Sequence, residues 1–99
     1  MSVYVIIDIA VMDQGLYEEY VSQVPIVVEQ YGGRYLVRGG EVVALAGDWQ
    51  PERIVVLEFE SRHQAQEYLT SPEYLALVPL RQKSTTSRAI IVMGYEYDL

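Results

Sequence analysis

The order strand, helix, strand pair, strand, helix, strand runs through this 99-residue chain. It predicts an α+β fold of the ferredoxin-like, split βαβ type, with the helices on one face of an antiparallel sheet. Two further observations extend that expectation. The main strands are apolar on both faces, although the helices of such a fold cover only one. The chain is also 51% hydrophobic with nine tyrosines, rich for a domain that buries only a little over ~60% of its unfolded surface. A second copy covering the bare sheet face satisfies both, so the sequence predicts a homodimer with its sheets face to face. Residues 1–99 make one domain, without repeat, linker or low-complexity run.

Each element has its own signal. Val3 to Val11 is apolar on both faces except for Tyr4 and Asp8, as a central strand is. Asp13 can cap a helix in which Leu16, Tyr17, Tyr20, Val21, Val24, Val28 and Tyr31 recur at three- and four-residue intervals. Pro25 interrupts that pattern and predicts a bend or break just before it, and Gly32-Gly33 ends the helix. Arg34 to Arg38 reads as a strand, turned by Gly39-Gly40 into Val42 to Ala46 as a hairpin. After the turn Gly47-Asp48-Trp49-Gln50-Pro51 comes the strand Arg53 to Phe59. Ser61 with Gln64 forms a capping box, and Ala65, Tyr68 and Leu69 give the following helix an inward stripe. Ser71-Pro72-Glu73 starts a short helical piece that stops near Pro79. The last strand runs from Arg88 to Tyr95.

Charge and composition exclude several function classes. Seven basic against fourteen acidic residues give a net charge of −7, a field that repels a phosphate backbone, so no nucleic-acid partner is expected. Without cysteine there are no disulfides, zinc thiolates or iron–sulfur clusters. The longest apolar runs fall far short of the roughly 20 residues of a spanning helix, so no membrane partner is expected. The N-terminus lacks a basic leader and cleavage site, which makes the cytoplasm the expected compartment.

The segment Tyr31-Gly-Gly-Arg34-Tyr-Leu-Val-Arg38-Gly-Gly40 carries the candidate site. On a strand, Arg34, Leu36 and Arg38 share one face. With Arg53 and Arg81 they can hold a small carboxylate or phosphate, because guanidinium offers a fixed fork of donors. The alternative is an internal ion-pair network with Glu58 and Asp8, each set in an apolar strand. Those two carboxylates are also the candidate general bases, since burial raises their pKa while a nearby arginine lowers it. Tyr4, Tyr17, Tyr20, Tyr31, Tyr35, Tyr68, Tyr74 and Trp49 can line a pocket for an aromatic molecule or belong to the core. His63 stands alone, without a second histidine or cysteine, so neither a metal nor a haem cofactor is expected. Serine-nucleophile motifs and phosphate loops are absent, and Ser71 serves as a cap.

Tyr31-Gly-Gly-Arg-Tyr-Leu-Val-Arg-Gly-Gly40, Gly47-Asp-Trp49, Pro51-Glu-Arg53, Glu58-Phe59, Ser71-Pro-Glu-Tyr74 and Pro79-Leu-Arg81 together resemble the family called domain of unknown function 1330, over nearly the whole chain. The resemblance implies a dimeric α/β barrel of the ferredoxin-like class. Related barrels include cofactor-independent monooxygenases, lactone isomerases, haem-handling enzymes and stress proteins, an analogy of fold alone. Tyr31, Trp49 and Tyr74 lie within the family-like phrases and are the preferred pocket aromatics. The chain departs from the pattern at Gln14-Gly15, where Pro-Glu is usual, and at Pro25. The expected function is a small-molecule-binding homodimer, of monooxygenase or isomerase type without cofactor, acting on a small organic acid. In that reading Arg34 and Arg38 orient the anion and Glu58 or Asp8 moves a proton. The alternative is a non-catalytic dimerisation or ligand-sensing module.

Overall fold

The computed structural model describes residues 2–95; Met1 and residues 96–99 of the expected 1–99 domain lie outside the described residues. The chain runs β1 (Val3–Val11), α1 (Gln14–Gln30), β2 (Arg34–Arg38), β3 (Arg53–Phe59), α2 (Arg62–Leu69), α3 (Pro72–Ser84) and β4 (Thr85–Met93). The strands form one antiparallel sheet in the order β2-β3-β1-β4. This is the ferredoxin-like α+β fold, and its sheet has helices on one face only. No described helix is long and apolar enough to cross a membrane.

The two central strands match the expected bounds because their pattern is unbroken. Val3, Val5 and Ile9 of β1 pair with Phe59, Leu57 and Arg53 of β3, and their side chains turn toward the helices. Against them α1 lays Tyr17, Tyr20, Val24, Val27 and Val28, all buried. Spacings of three and four residues hold those five on one stripe. Asp13 caps the helix by accepting from Leu16 N at 3.1 Å, and Gly32 takes φ +79° past its end. Ser61 and Ser71 cap α2 and α3 by accepting from Gln64 N and Tyr74 N, each at 3.1 Å. Tyr68 of α2 packs its ring between those of Phe59, 5.4 Å away, and Tyr74, 4.7 Å away.

Four expectations are corrected. First, α1 continues through Pro25. Proline removes the N–H that would bond Val21 O, four residues back, and Arg38 Nη2 donates to that carbonyl instead at 3.2 Å. A strand arginine thus supplies the donor that the helix lacks. Second, α3 passes Pro79 and ends at Ser84, where Ser84 O accepts from Met12 N and Asp13 N at 2.7 and 3.1 Å. Third, β4 begins at Thr85 and stops at Met93, because pairing with Val11 recruits the polar threonines. Fourth, Val42 to Ala46 is not a strand. Among the described residues nothing covers Val43 and Leu45, which are 69% and 94% exposed, and a ribbon with no buried face is not stable.

Glycine at position 33 is demanded by packing. A Cβ there would lie 2.6 Å from the Phe59 ring and 3.0 Å from Val28, and both side chains are fully buried. Gly33→Ala is therefore expected to destabilise the fold by about 1–3 kcal/mol, the usual cost of overpacking. Urea unfolding checks this. In a double-mutant cycle, Gly33→Ala should cost less in a Phe59→Leu background, and strict additivity would refute the contact as its cause.

Candidate functional site

A bulge decides where the arginines go. Arg34 stands opposite Glu58 and Tyr35 opposite Leu57, but Val37 then stands opposite Val56 and Arg38 opposite Val55. Leu36 is the extra residue, so the alternation of faces slips by one across it. Leu57 and Val55 are buried under the helices, which puts Tyr35 and Arg38 on the helix face. Arg34 remains on the open face with Glu58. The expectation that Arg34 and Arg38 share a face is thereby corrected: regular alternation does not survive an unpaired residue.

On the helix face, Arg38, Arg53 and Arg81 line one cleft between α1, the sheet and the start of β4, and none of its lining residues is acidic. The cleft is narrow, with a cavity volume of about 30 Å³, room for little more than one or two water-sized groups. Among the described residues, none of the three arginines makes an ion pair. Arg38 lies over the Tyr35 ring at 5.0 Å and Arg53 over the Tyr17 ring at 5.6 Å, within cation–π range. Arg81 Nη1 donates to Ser87 Oγ at 3.2 Å. The Nε atoms of Arg53 and Arg81 are buried and have no hydrogen-bond partner among the described residues. Gly39, at φ +74°, makes room for the Arg53 guanidinium, which any Cβ there would strike.

Tyrosines complete the walls: Tyr17, Tyr20, Tyr35 and Tyr68 line the same cleft. Burial pushes the Tyr20, Tyr35 and Tyr68 phenols up from their ordinary values. They therefore stay protonated and can donate hydrogen bonds. The cleft as a whole offers donors and cations to a ligand, with apolar side chains between them.

The open face has a separate chemistry. Arg34 Nε donates to Glu58 Oε1 at 2.5 Å. Trp49 Nε1 and Arg88 Nε both donate to Asp8 Oδ2, at 2.9 and 3.0 Å. Hydrogen bonds from Ser2 and then Arg34 hold the Glu58 carboxyl below its usual value, and the Trp49 and Arg88 bonds do the same for Asp8. Around these pairs the face is apolar: Val37, Ile90 and Val92 are exposed on it, and Ile6 and Val56 half-buried.

The expected residues therefore divide into groups. Arg38, Arg53 and Arg81 meet in the cleft, whereas Arg34, Glu58, Asp8 and Trp49 sit across the sheet from it. Tyr31 donates its hydroxyl to Glu73 Oε1 at 2.9 Å and ties the end of α1 to the start of α3. Tyr74 lines a neighbouring cleft. His63 is exposed on α2 beside Glu67, and no cluster of three metal-ligating side chains occurs among the described residues. Sequence reasoning missed Arg88 as the partner of Asp8 and Thr85 as a cleft residue. The β1–β4 register, in which Asp8 faces Arg88 and Val11 faces Thr85, is the signal that finds both.

No curated protein matches this sequence, but solved structures share its fold. One is a protein of unknown function from Rhodopseudomonas palustris, 19% identical, with a TM-score of 0.80 over 97% of this chain and 84% of its own. Another is SnoaB, a cofactor-independent oxygenase from Streptomyces nogalater, 11% identical, with a TM-score of 0.67 over 97% of this chain and 95% of its own. At such identities the likeness is one of fold. The family assignment rests on the sequence itself, whose residues 2–95 match the model of the domain of unknown function DUF1330, and the chain belongs to that family.

Proposed function

We propose that this protein is a homodimer that binds a small organic anion in the arginine cleft. One observation carries the reading: two buried guanidinium Nε donors lack an acceptor in a cleft with no acidic side chain. A buried donor left unmade costs roughly 1–3 kcal/mol. A carboxylate or phosphate relieves that cost, and the tyrosine phenols add further donors. Glu58 and Asp8, already engaged on the opposite face, serve the open face in this reading and take no part in the cleft. The likeness to a cofactor-independent oxygenase favours a second reading, in which the bound acid is oxygenated there. Dioxygen uptake in the presence of a stabilising acid separates the two.

The dimer follows from the open face. Ile90 and Val92 are 60% and 40% exposed beside Val37 and Trp49, a patch that a second sheet would cover. The Arg34–Glu58 and Arg88–Asp8 pairs would then be taken from water already neutralised.

Three outcomes are expected. In a thermal-shift screen, carboxylates at ten times their Kd should stabilise the protein by about 1.4 kcal/mol. Arg53→Gln and Arg81→Gln should lose that response while Arg34→Gln keeps it; an equal response in all variants would refute the cleft. Light scattering should give a dimer mass for the native chain and a monomer for Ile90→Glu, and a native monomer at micromolar concentration would sink the two-sheet arrangement. The third outcome is a pH dependence. Both lowered carboxyl pKa values mean that the unfolded chain binds more protons, so their stabilisation is full above about pH 4–5 and is lost as pH falls through the folded values. Acid unfolding curves of Asp8→Asn and Glu58→Gln should be flatter there than that of the native chain, and unchanged curves would exclude these groups.

A further inference from the structure

A second cleft continues from the first on the helix face, and Ile7, Leu57, Tyr68 and Arg81 line both. It exists because α3 packs along α1 and leaves the inner face of β4 uncovered, with Ile91 38% exposed. Its cavity volume is about 390 Å³, against about 30 Å³ for the first cleft. Its far wall is apolar: Leu69 of α2, Leu75 and Val78 of α3, and Ala89 of β4, with the Tyr74 ring. No acidic side chain lines it either, and its polar residues Arg81, Ser87 and Arg88 come from the end of α3 and the first half of β4. Cation and apolar trough are thus joined at one residue, Arg81, whose buried Nε has no partner.

We infer that the ligand is an elongated amphipathic acid: its anionic head lies among Arg38, Arg53 and Arg81, and its apolar chain or ring extends past Tyr68 into the second cleft. This rests on the anion-binding reading of the first cleft and adds the class of molecule. A compact inorganic anion would satisfy the arginines but leave Leu75, Val78 and Ala89 wet. A purely apolar molecule would fill the trough and leave the guanidinium donors unmade. Only a molecule with both parts uses the continuity of the two clefts. The second cleft lies on the helix face, away from the open sheet face where a second copy would dock, so both can be occupied at once.

Titration calorimetry of the full chain with straight-chain carboxylates from acetate to octanoate tests this, with 1-octanol as the uncharged control. Each added methylene should lower Kd by about three- to fourfold, the factor for burying a CH₂ group, and octanol should bind far more weakly than octanoate. Two variants that fill the trough from its rim, Leu75→Trp and Ala89→Phe, should keep acetate binding and lose the gain with length. Acetate binding with no gain along the series would overturn the amphipathic ligand and leave the anion site standing. Binding of no carboxylate at any length would overturn the anion site itself. A gain with length that both variants leave intact would overturn the placement of the tail in this cleft.

Discussion

One unpaired residue in an edge strand, Leu36, governs the chemistry of both sheet faces. A strand without it would put Arg34 and Arg38 on one face, about 13 Å apart at the usual rise per residue, where Glu58 could neutralise only one of them. With the bulge, Arg34 meets Glu58 on the open face, and Arg38 turns under the helices to the carbonyl of Val21. That carbonyl is free because residue 25 is proline. The bulge in β2 and the proline in α1 therefore fit each other: one aims a guanidinium, and the other leaves it an acceptor.

The cationic cleft is a matter of placement, since the chain carries twice as many acids as bases. Each nearby acid is held elsewhere. Asp8 and Glu58 face the open side of the sheet, and Glu73 ties α3 to Tyr31 and Gln30. Asp13 caps α1, and Glu52 accepts from Val11 N at 2.6 Å. With the acids so occupied, aromatic faces, a backbone carbonyl and the Ser87 hydroxyl hold the three arginines. Such partners steady a guanidinium without cancelling its charge. In a partly dry site that charge acts at a far lower effective dielectric than in water, which is where an anion gains most from it.

Local signals were legible where the physics is local. Val3 to Val11 and Arg53 to Phe59 read as strands because their apolar runs are short, rich in β-branched Val and Ile, and bounded by turn signals. The serine and aspartate caps read correctly because a cap bonds three residues along the chain. The signals failed where a distant group intervenes. Pro25 looks like a helix break until Arg38 takes over the orphaned carbonyl. Val42 to Ala46 looks like a strand, but its apolar side chains find no buried face among the described residues. Thr85 and Thr86 look like a loop until β1 pairs with them.

By itself the sequence determined the α+β order of elements, the two-faced apolar strands, the family, and the arginines and tyrosines from which a site can be built. Composition and periodicity are properties of the chain, so these could be read along it. Only the tertiary structure decided which arginines meet. Register and bulge fix the face on which each side chain emerges, and both arise from pairing between strands far apart in sequence. Arg34 was thus given to Glu58, while Arg38 joined Arg53 and Arg81 in a cleft where their charge is not cancelled.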